Sequence, residues 1–293
     1  MTGFIKSLYL SSIWCKVVVV SSFAIMYYYY NRTPSTYEGF EQQKQFIIKQ
    51  GADIYDQFYV NLYDDLVGDD EKNKFEVNNL IKITKIAETD LILDIGSGTG
   101  NLVKAFSTKG YTAMGLDKSG HMVAKAREKN PELDFSVGDA MDTLLYTPHS
   151  FNLITCLYFT IYDIKDKIRF FQNSYEWLKP GGYFAIHLMV TNEPLKISSS
   201  GNSEDINSSR SRIKFNDFTY KSKFELKDDT ATFDEDFTDS NGKVRKNMRR
   251  LHIPATDEII NTVKNAGFIL EGKFDLGPVN YDNHYIYIFY KPE

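Results

Sequence analysis

Three glycines at alternate positions, Gly96, Gly98 and Gly100, follow the apolar run Leu91-Ile92-Leu93-Asp94-Ile95 and precede a stretch suited to a helix from Asn101. That order, strand then glycine turn then helix, lets a backbone approach a ligand where a Cβ would clash. Such a turn lies at the carboxyl edge of a parallel sheet, beside the point where strand order reverses. The spacing is G-x-G-x-G, not the G-x-G-x-x-G with which a helix N-terminus receives a pyrophosphate. Dinucleotide dehydrogenases carry a similar turn, so the glycines alone are weak evidence.

Three carboxylates strengthen it, because each falls where an adenosine-bearing ligand needs one. Asp117 ends the next apolar run, about 20 residues after the glycines, where a carboxylate accepts both ribose hydroxyls. Asp139, in Gly138-Asp139-Ala140, ends the one after that and is placed to accept from an adenine amino group. Asp94 precedes the turn and is suited to orient it or to meet a ligand's ammonium. Singly, each reads equally as a turn or helix-cap residue; their recurrence at successive strand ends makes them a set.

The elements that must position these groups follow from periodicity. Residues 111–116, 134–137, 151–159 and 183–190 read as further strands. Helices fall between them: one from Asn101, one from Ser119 to Pro131, and one along the stripe Ile164, Ile168, Phe171, Tyr175 and Leu178. Strands alternating with helices predict an α/β fold, a doubly wound and mostly parallel sheet covered on both faces. Ahead of it, residues 37–66 look helical and then aromatic-rich, and residues 70–85 read as a second helix. Residues 191–212, rich in Ser and Asn, read as a loop. Residues 213–226, 230–238 and 243–253 read as a small antiparallel β insert, with a hairpin signal at Asp239-Ser240-Asn241-Gly242. Residues 256–266 suit a helix, and 268–274 and 284–290 two closing strands. The expected organisation is an apolar segment at 1–33, a helical lid at 34–86, a ligand-binding core at 87–190, a loop and β insert at 191–255, and the end of the core at 256–293.

The stretch from Leu91 to Gly100 resembles the signature of the class I, Rossmann-like S-adenosylmethionine-dependent methyltransferases. Gly115-Leu116-Asp117 with Ser119 and Met122, then Gly138-Asp139-Ala140, resemble that family's next two motifs. Leu178-Lys179-Pro180-Gly181-Gly182 resembles its turn before the fifth strand, and Ala266-Gly267-Phe268 its ending. The resemblance spans residues 55–290 apart from the insert. It implies a seven-stranded sheet whose last strand runs antiparallel between its neighbours, and S-adenosylmethionine as cofactor. It implies cofactor contacts from Asp94, Gly96, Ser97, Gly98, Gly100, Asp117, Lys118, Asp139, Ala140 and Leu157. Tyr55 and Tyr59, in a Tyr-Asp-x-x-Tyr segment, would lie over the cofactor within the lid; aromatic packing of that helix onto the sheet is the competing reading. Asn152 departs from the pattern, standing where Asp is frequent in a position that serves strand and loop architecture.

Methyl transfer from a sulfonium is an in-line displacement with an activated leaving group, so the protein chiefly aligns the reactants and excludes water. No nucleophilic Ser or Cys and no metal ligand set is needed for this, and none is apparent. His187, on the fifth strand, is the candidate general base for a hydroxyl or ammonium acceptor. A core histidine is the commoner reading of such a residue. The Asn/Asp-Pro-Pro-aromatic loop of amino-methylating DNA enzymes is replaced by Leu157-Tyr158-Phe159-Thr160, and the Pro-Cys nucleophile of cytosine-C5 enzymes is missing. The β insert resembles those that cover the acceptor in small-molecule N- and O-methyltransferases, so a small-molecule N or O acceptor is expected. Two other classes fit less of the pattern: a membrane-tethered binding or structural protein with a silent methyltransferase fold, and a nicotinamide-dependent oxidoreductase.

Bulk properties set limits. The 293 residues carry a net charge of −5, which argues against a nucleic-acid partner. The cationic run Arg245, Lys246, Arg249 and Arg250 reads as a solvated face balanced by acids such as Asp234 and Asp236. Two cysteines, Cys15 and Cys156, fall in unlike settings and do not suggest a disulfide framework. Residues 17–30 are uncharged, and starting the apolar stretch at Leu8 gives a span long enough to cross a bilayer if Lys16 snorkels. Residues 8–30 are therefore expected to be a membrane anchor, a signal peptide or a docked apolar tail being the other readings.

Overall fold

The computed structural model describes residues 46–190, 208–215, 217–227 and 229–293. The expected anchor at 8–30, Cys15 and most of the expected loop after residue 190 lie outside the described residues. Among the described residues no helix is long and apolar enough to cross a membrane.

The chain enters as strand β1 (Phe46–Gln50) and, after a short 3-10 turn, forms helices α1 (Gln57–Val67) and α2 (Asp70–Thr84). Asp56 and Asp69 cap these helices by accepting from the backbone N–H of Tyr59 and Lys72. The core begins with β2 (Leu91–Ile95), α3 (Asn101–Thr108), β3 (Thr112–Asp117), α4 (Gly120–Lys129), β4 (Asp134–Val137) and β5 (Phe151–Cys156). It continues through α5 (Thr160–Asp163), α6 (Lys167–Trp177) and β6 (Leu178–Met189). Four strands then form the insert: β7 (Ser208–Lys214), β8 (Phe218–Lys227), β9 (Thr230–Asp239) and β10 (Val244–His252). Helix α7 (Thr256–Asn265) and strands β11 (Ile269–Asp275) and β12 (His284–Tyr290) complete the core.

The main sheet has seven strands in the order β11-β12-β6-β5-β2-β3-β4. Only β12 runs against its neighbours, pairing antiparallel with both β11 and β6. Its central strands are covered on both faces: Ile92 and Leu153 pack in one hydrophobic cluster, Leu93 and Ile154 in the other. The strand order reverses between β2 and β5, which opens the crevice at the carboxyl ends where ligands of such sheets bind.

The second sheet has the order β1-β10-β9-β8-β7 and differs from expectation in two ways. The segment expected to be helical from residue 37 contains strand β1, which pairs parallel with β10; Phe46-Ile47-Ile48 favours extended backbone, and the helix waits for the Asp56 cap. The single segment expected at 213–226 is a hairpin, β7 and β8, turning after Phe215, whose N–H donates to the carbonyl of Phe218. Residues 208–212, expected as loop, belong to β7. A third cluster, Ile54, Tyr59, Tyr220 and Phe237, joins α1 to this sheet.

Helix α6 also differs in register. Its buried face is Lys167, Phe170, Phe171, Ser174 and Trp177, whereas Ile168 is 61% exposed. The Asp166 cap starts the helix at Lys167, which leaves Ile164 outside it and rotates the buried stripe away from Ile168.

Candidate functional site

The glycine turn has the backbone its composition requires, with Gly96, Gly98 and Gly100 all at positive φ. Their roles differ. A Cβ on Gly96 would lie 2.5 Å from the Thr160 side chain, and one on Gly100 would lie 2.5 Å from the Phe135 ring. A Cβ on Gly98 would meet only the Tyr63 ring, at 3.6 Å. Gly96 and Gly100 are therefore fixed by packing, and Gly98 keeps space open.

That space is a cavity of about 610 Å³ at the carboxyl edge of the main sheet. Its floor is Gly96, Gly98, Asp117, Gly138, Asp139 and Ala140. Asp117 accepts from the backbone N–H of Gly98 and of Ser119, each at 2.8 Å, so it fastens the turn to the end of β3. Burial raises its pKa. Each of its oxygens has a further lone pair for a ligand hydroxyl. Asp139 accepts from Lys118 Nζ at 2.6 Å and from the Met141 N–H at 3.0 Å; the Lys118 bond chiefly lowers its pKa. Lys118 also lines the cavity.

The roof comes from elsewhere in the chain. Tyr55 and Tyr63 descend from the segment around α1, Tyr158 and Phe159 follow β5, and Arg249 and Arg250 reach in from β10. Tyr55 is held by its carbonyl, which accepts from Ser119 Oγ at 3.1 Å. Helix α1 is clamped to the glycine turn by Asp64, which accepts from Thr99, Asn101 and Lys129. Burial would raise the pKa of Asp64, but these three donors outweigh it and lower it. The tyrosine hydroxyls facing the cavity stay neutral, because burial raises the pKa of Tyr55, Tyr63 and Tyr158.

Several expected contacts lie outside this lining. Tyr59 turns away and donates to Glu235 Oε1 of β9 at 2.9 Å, so it packs onto the second sheet rather than over the cavity. Ser97 sits over Gly115, where a Cβ would lie 2.6 Å from its Oγ, and presents only backbone to the turn. Gly100 is the helix cap of α3. Leu157 packs in the core with Leu153 and Ile286, and Tyr158, at φ +56°, faces the cavity in its place. Asp94 is buried beneath the turn and accepts from Thr155 Oγ1 at 2.7 Å; burial pushes its pKa up to about 7. His187 is 1% exposed and pairs Nε2 with Nδ1 of His284 at 2.8 Å, one layer behind Phe159. Burial drives its pKa well below the usual histidine range, and it does not reach the cavity as a base would need to. Asn152 accepts from the Leu91 N–H and from Lys179 Nζ, the architectural role expected of its position.

Sequence reasoning missed Tyr63, Asp64, Tyr158 and Arg249. For Tyr63 and Asp64 a signal existed in helical spacing, since Tyr63 falls about one turn beyond Tyr59 and Asp64 about two turns beyond Asp56. The cationic run divides: Lys246 pairs with Asp234 as expected, whereas Arg245 and Arg249 share the buried face of β10.

Residues 92–182 match the family described as a methyltransferase domain. The chain is 32% identical over 138 residues to dTDP-4-amino-2,3,4,6-tetradeoxy-D-glucose N,N-dimethyltransferase of Saccharopolyspora spinosa, an alignment covering 46% of this chain and 53% of that protein. It thus spans about half the length of that relative. Its fold resembles an S-adenosylmethionine-dependent methyltransferase of Clostridium acetobutylicum, with a TM-score of 0.62 and 19% identity over 80% of this chain and 97% of that one. It also resembles the amino pentose methyltransferase CalS10 of Micromonospora echinaspora, with a TM-score of 0.60 and 17% identity over 81% and 98%. Strand order, a glycine turn joined to Asp117 and these matches agree: residues 92–182 form a methyltransferase domain, and the chain has the fold seen in S-adenosylmethionine-dependent methyltransferases.

Proposed function

We propose that this chain transfers a methyl group from S-adenosylmethionine to the nitrogen of a small-molecule acceptor. The observation that carries this reading is the covered cavity, in which Gly98 leaves room beside Asp117 while aromatic residues and the second sheet close the far side. A roof of this kind suits an acceptor that enters whole and disfavours a polymer lying across an open groove. Nitrogen is supported by the names of the relatives, an N,N-dimethyltransferase and an amino pentose methyltransferase.

The residues present fit the cofactor. Asp117 keeps lone pairs for ribose hydroxyls, Asp139 and the Ala140–Met141 backbone border an adenine site, and Gly98 admits the remainder without a clash. The cofactor supplies an activated methyl group. The chain's own residues then have three tasks. Asp117 and the glycine turn fix position. Tyr55, Tyr63 and Tyr158 line the roof and shape the room left for the acceptor. Roof and floor together exclude water. The test is calorimetric titration of the full chain with S-adenosylhomocysteine beside an Asp117→Ala variant. Micromolar binding that weakens at least tenfold in the variant is expected. A folded wild-type protein that binds nothing would sink the enzyme reading and leave a silent fold.

A further inference from the structure

Arg245 and Arg249 lie four residues apart on the same face of β10, and each guanidinium side chain is only 11% exposed. A buried guanidinium is costly unless its donors are used. Arg245 uses them: Nε donates to Asn247 Oδ1, Nη1 to both oxygens of Asp56, and Nη2 to the carbonyl of Ile54. Its ring neighbour is Phe58, at 4.8 Å. It is a structural clamp between β10 and the start of α1.

Arg249 does not. Nη2 donates to Asp163 Oδ2 at 2.6 Å, and Nε is buried with no hydrogen-bond partner. The guanidinium stands 5.8 Å from the Tyr55 ring and lines the cavity. Asp163, its ion-pair partner among the described residues, is replaceable, because that side chain is 43% exposed and can turn to solvent. Arg250 and Lys165 also line the cavity, with Asp166 beside Lys165. The elements Arg249 touches, helix α5 and Tyr55, are not the Gly98–Asp117 corner that fits the ribose.

We infer that Arg249 is the specificity residue of the acceptor half of the cavity, and that the acceptor carries an oxyanion, a carboxylate or phosphate, which takes the Nε–Nη fork in place of Asp163. This rests on the methyltransferase reading. It narrows the acceptor to a small molecule bearing both a nucleophilic nitrogen and a negative group. A planar fork recognises either oxyanion through two parallel bonds, which a lysine does not.

The test is thermal-shift titration of the full chain, saturated with S-adenosylhomocysteine at constant ionic strength, with sodium acetate and with sodium pyrophosphate. The two arms separate a carboxylate site from a phosphate site. In wild type at least one anion should raise the Tm in a saturable way. In Arg249→Gln its apparent affinity should fall at least tenfold, while S-adenosylhomocysteine affinity stays within threefold. Asp163→Asn keeps the arginine and removes its competitor, so it should bind the same anion more tightly than wild type, and equal or weaker binding overturns the inference. This variant decides the matter if Arg249→Gln fails to fold, because a merely structural pair predicts lower stability without tighter anion binding. Saturable binding unchanged in Arg249→Gln, or no saturable binding in wild type, overturns the inference. An equal loss of S-adenosylhomocysteine affinity overturns it too, by assigning the guanidinium to the cofactor. Failure of the wild type to bind S-adenosylhomocysteine refutes the methyltransferase reading itself.

Discussion

Gly98 and Gly100 are two residues apart and both at positive φ, +54° and +84°, yet alanine at the two sites should fail in different experiments. Alanine in this backbone region costs about 1–2 kcal/mol at either site, and that strain cancels when the two variants are compared. At Gly100 the new methyl would lie 2.5 and 2.7 Å from the Phe135 ring and 3.2 Å from the Ala126 Cβ. Overpacking of that kind costs about 1–3 kcal/mol. At Gly98 the methyl meets only the Tyr63 ring at an ordinary 3.6 Å, so no packing penalty is added in the free protein. Gly100→Ala should therefore be about 1–3 kcal/mol less stable than Gly98→Ala in urea unfolding. The same methyl at Gly98 projects into the space a ligand must use. An equivalent clash paid on binding weakens S-adenosylhomocysteine roughly 5- to 150-fold by calorimetry. Folded Gly100→Ala should bind within a few-fold of wild type. Wild-type affinity in Gly98→Ala would falsify the assignment of that space to the cofactor. Equal stabilities would refute the claim that Gly100 is held by packing.

Two further outcomes follow from buried groups. Tyr59→Phe removes a donor from Glu235, a carboxylate 1% exposed that also accepts from Tyr220 and Asn247; stability should drop by about 1–3 kcal/mol with S-adenosylhomocysteine affinity unchanged. A loss of affinity without a loss of stability would return Tyr59 to the cavity. Asp94, 4% exposed, holds its proton to about pH 7 when folded and loses it near pH 4 when unfolded. Between those values the native state binds the extra proton, so this group's contribution to stability is full below pH 4 and declines up to pH 7. Asp94→Asn keeps an acceptor for Thr155 and lacks the decline, and should gain on wild type by up to an order of 4 kcal/mol between pH 4 and 8 in urea unfolding. Parallel pH profiles for the two proteins would refute the buried, protonated state.

The centre of the main sheet was legible because β2 and β5 are short and apolar, and because burial on both faces removes the ambiguity of alternation. The second sheet was less so. Its strand β1 lies almost two hundred residues from its partner β10, and nothing local to Phe46-Ile47-Ile48 says that a mate exists. The hairpin after Phe215 carries no glycine or proline to mark it, so two strands merged into one. Helix α6 shows a subtler failure. Ile168 fits a 3.6-residue stripe with Phe171 and Tyr175, but the cap fixes which stripe turns inward, and Ile168 lost to Lys167 and Phe170.

The same limit governs the site. Most of the floor was readable because the ends of three consecutive strands, β2, β3 and β4, supply it, so order along the chain maps onto order in space. The roof was not, because type and spacing do not distinguish a satisfied group from an unsatisfied one. Tyr59 and Tyr63 are both tyrosines on α1, one turn apart; only the presence of Glu235 on β9 makes one a structural donor and leaves the other facing the cavity. Arg245 and Arg249 repeat the case on β10. Asp56, Asn247 and the Ile54 carbonyl complete the first, whereas among the described residues Asp163 accepts from the second and its Nε is left over. What remains unpartnered after the fold has formed is what a ligand can use, and that residue of donors is a property of the assembled chain, not of any segment in it.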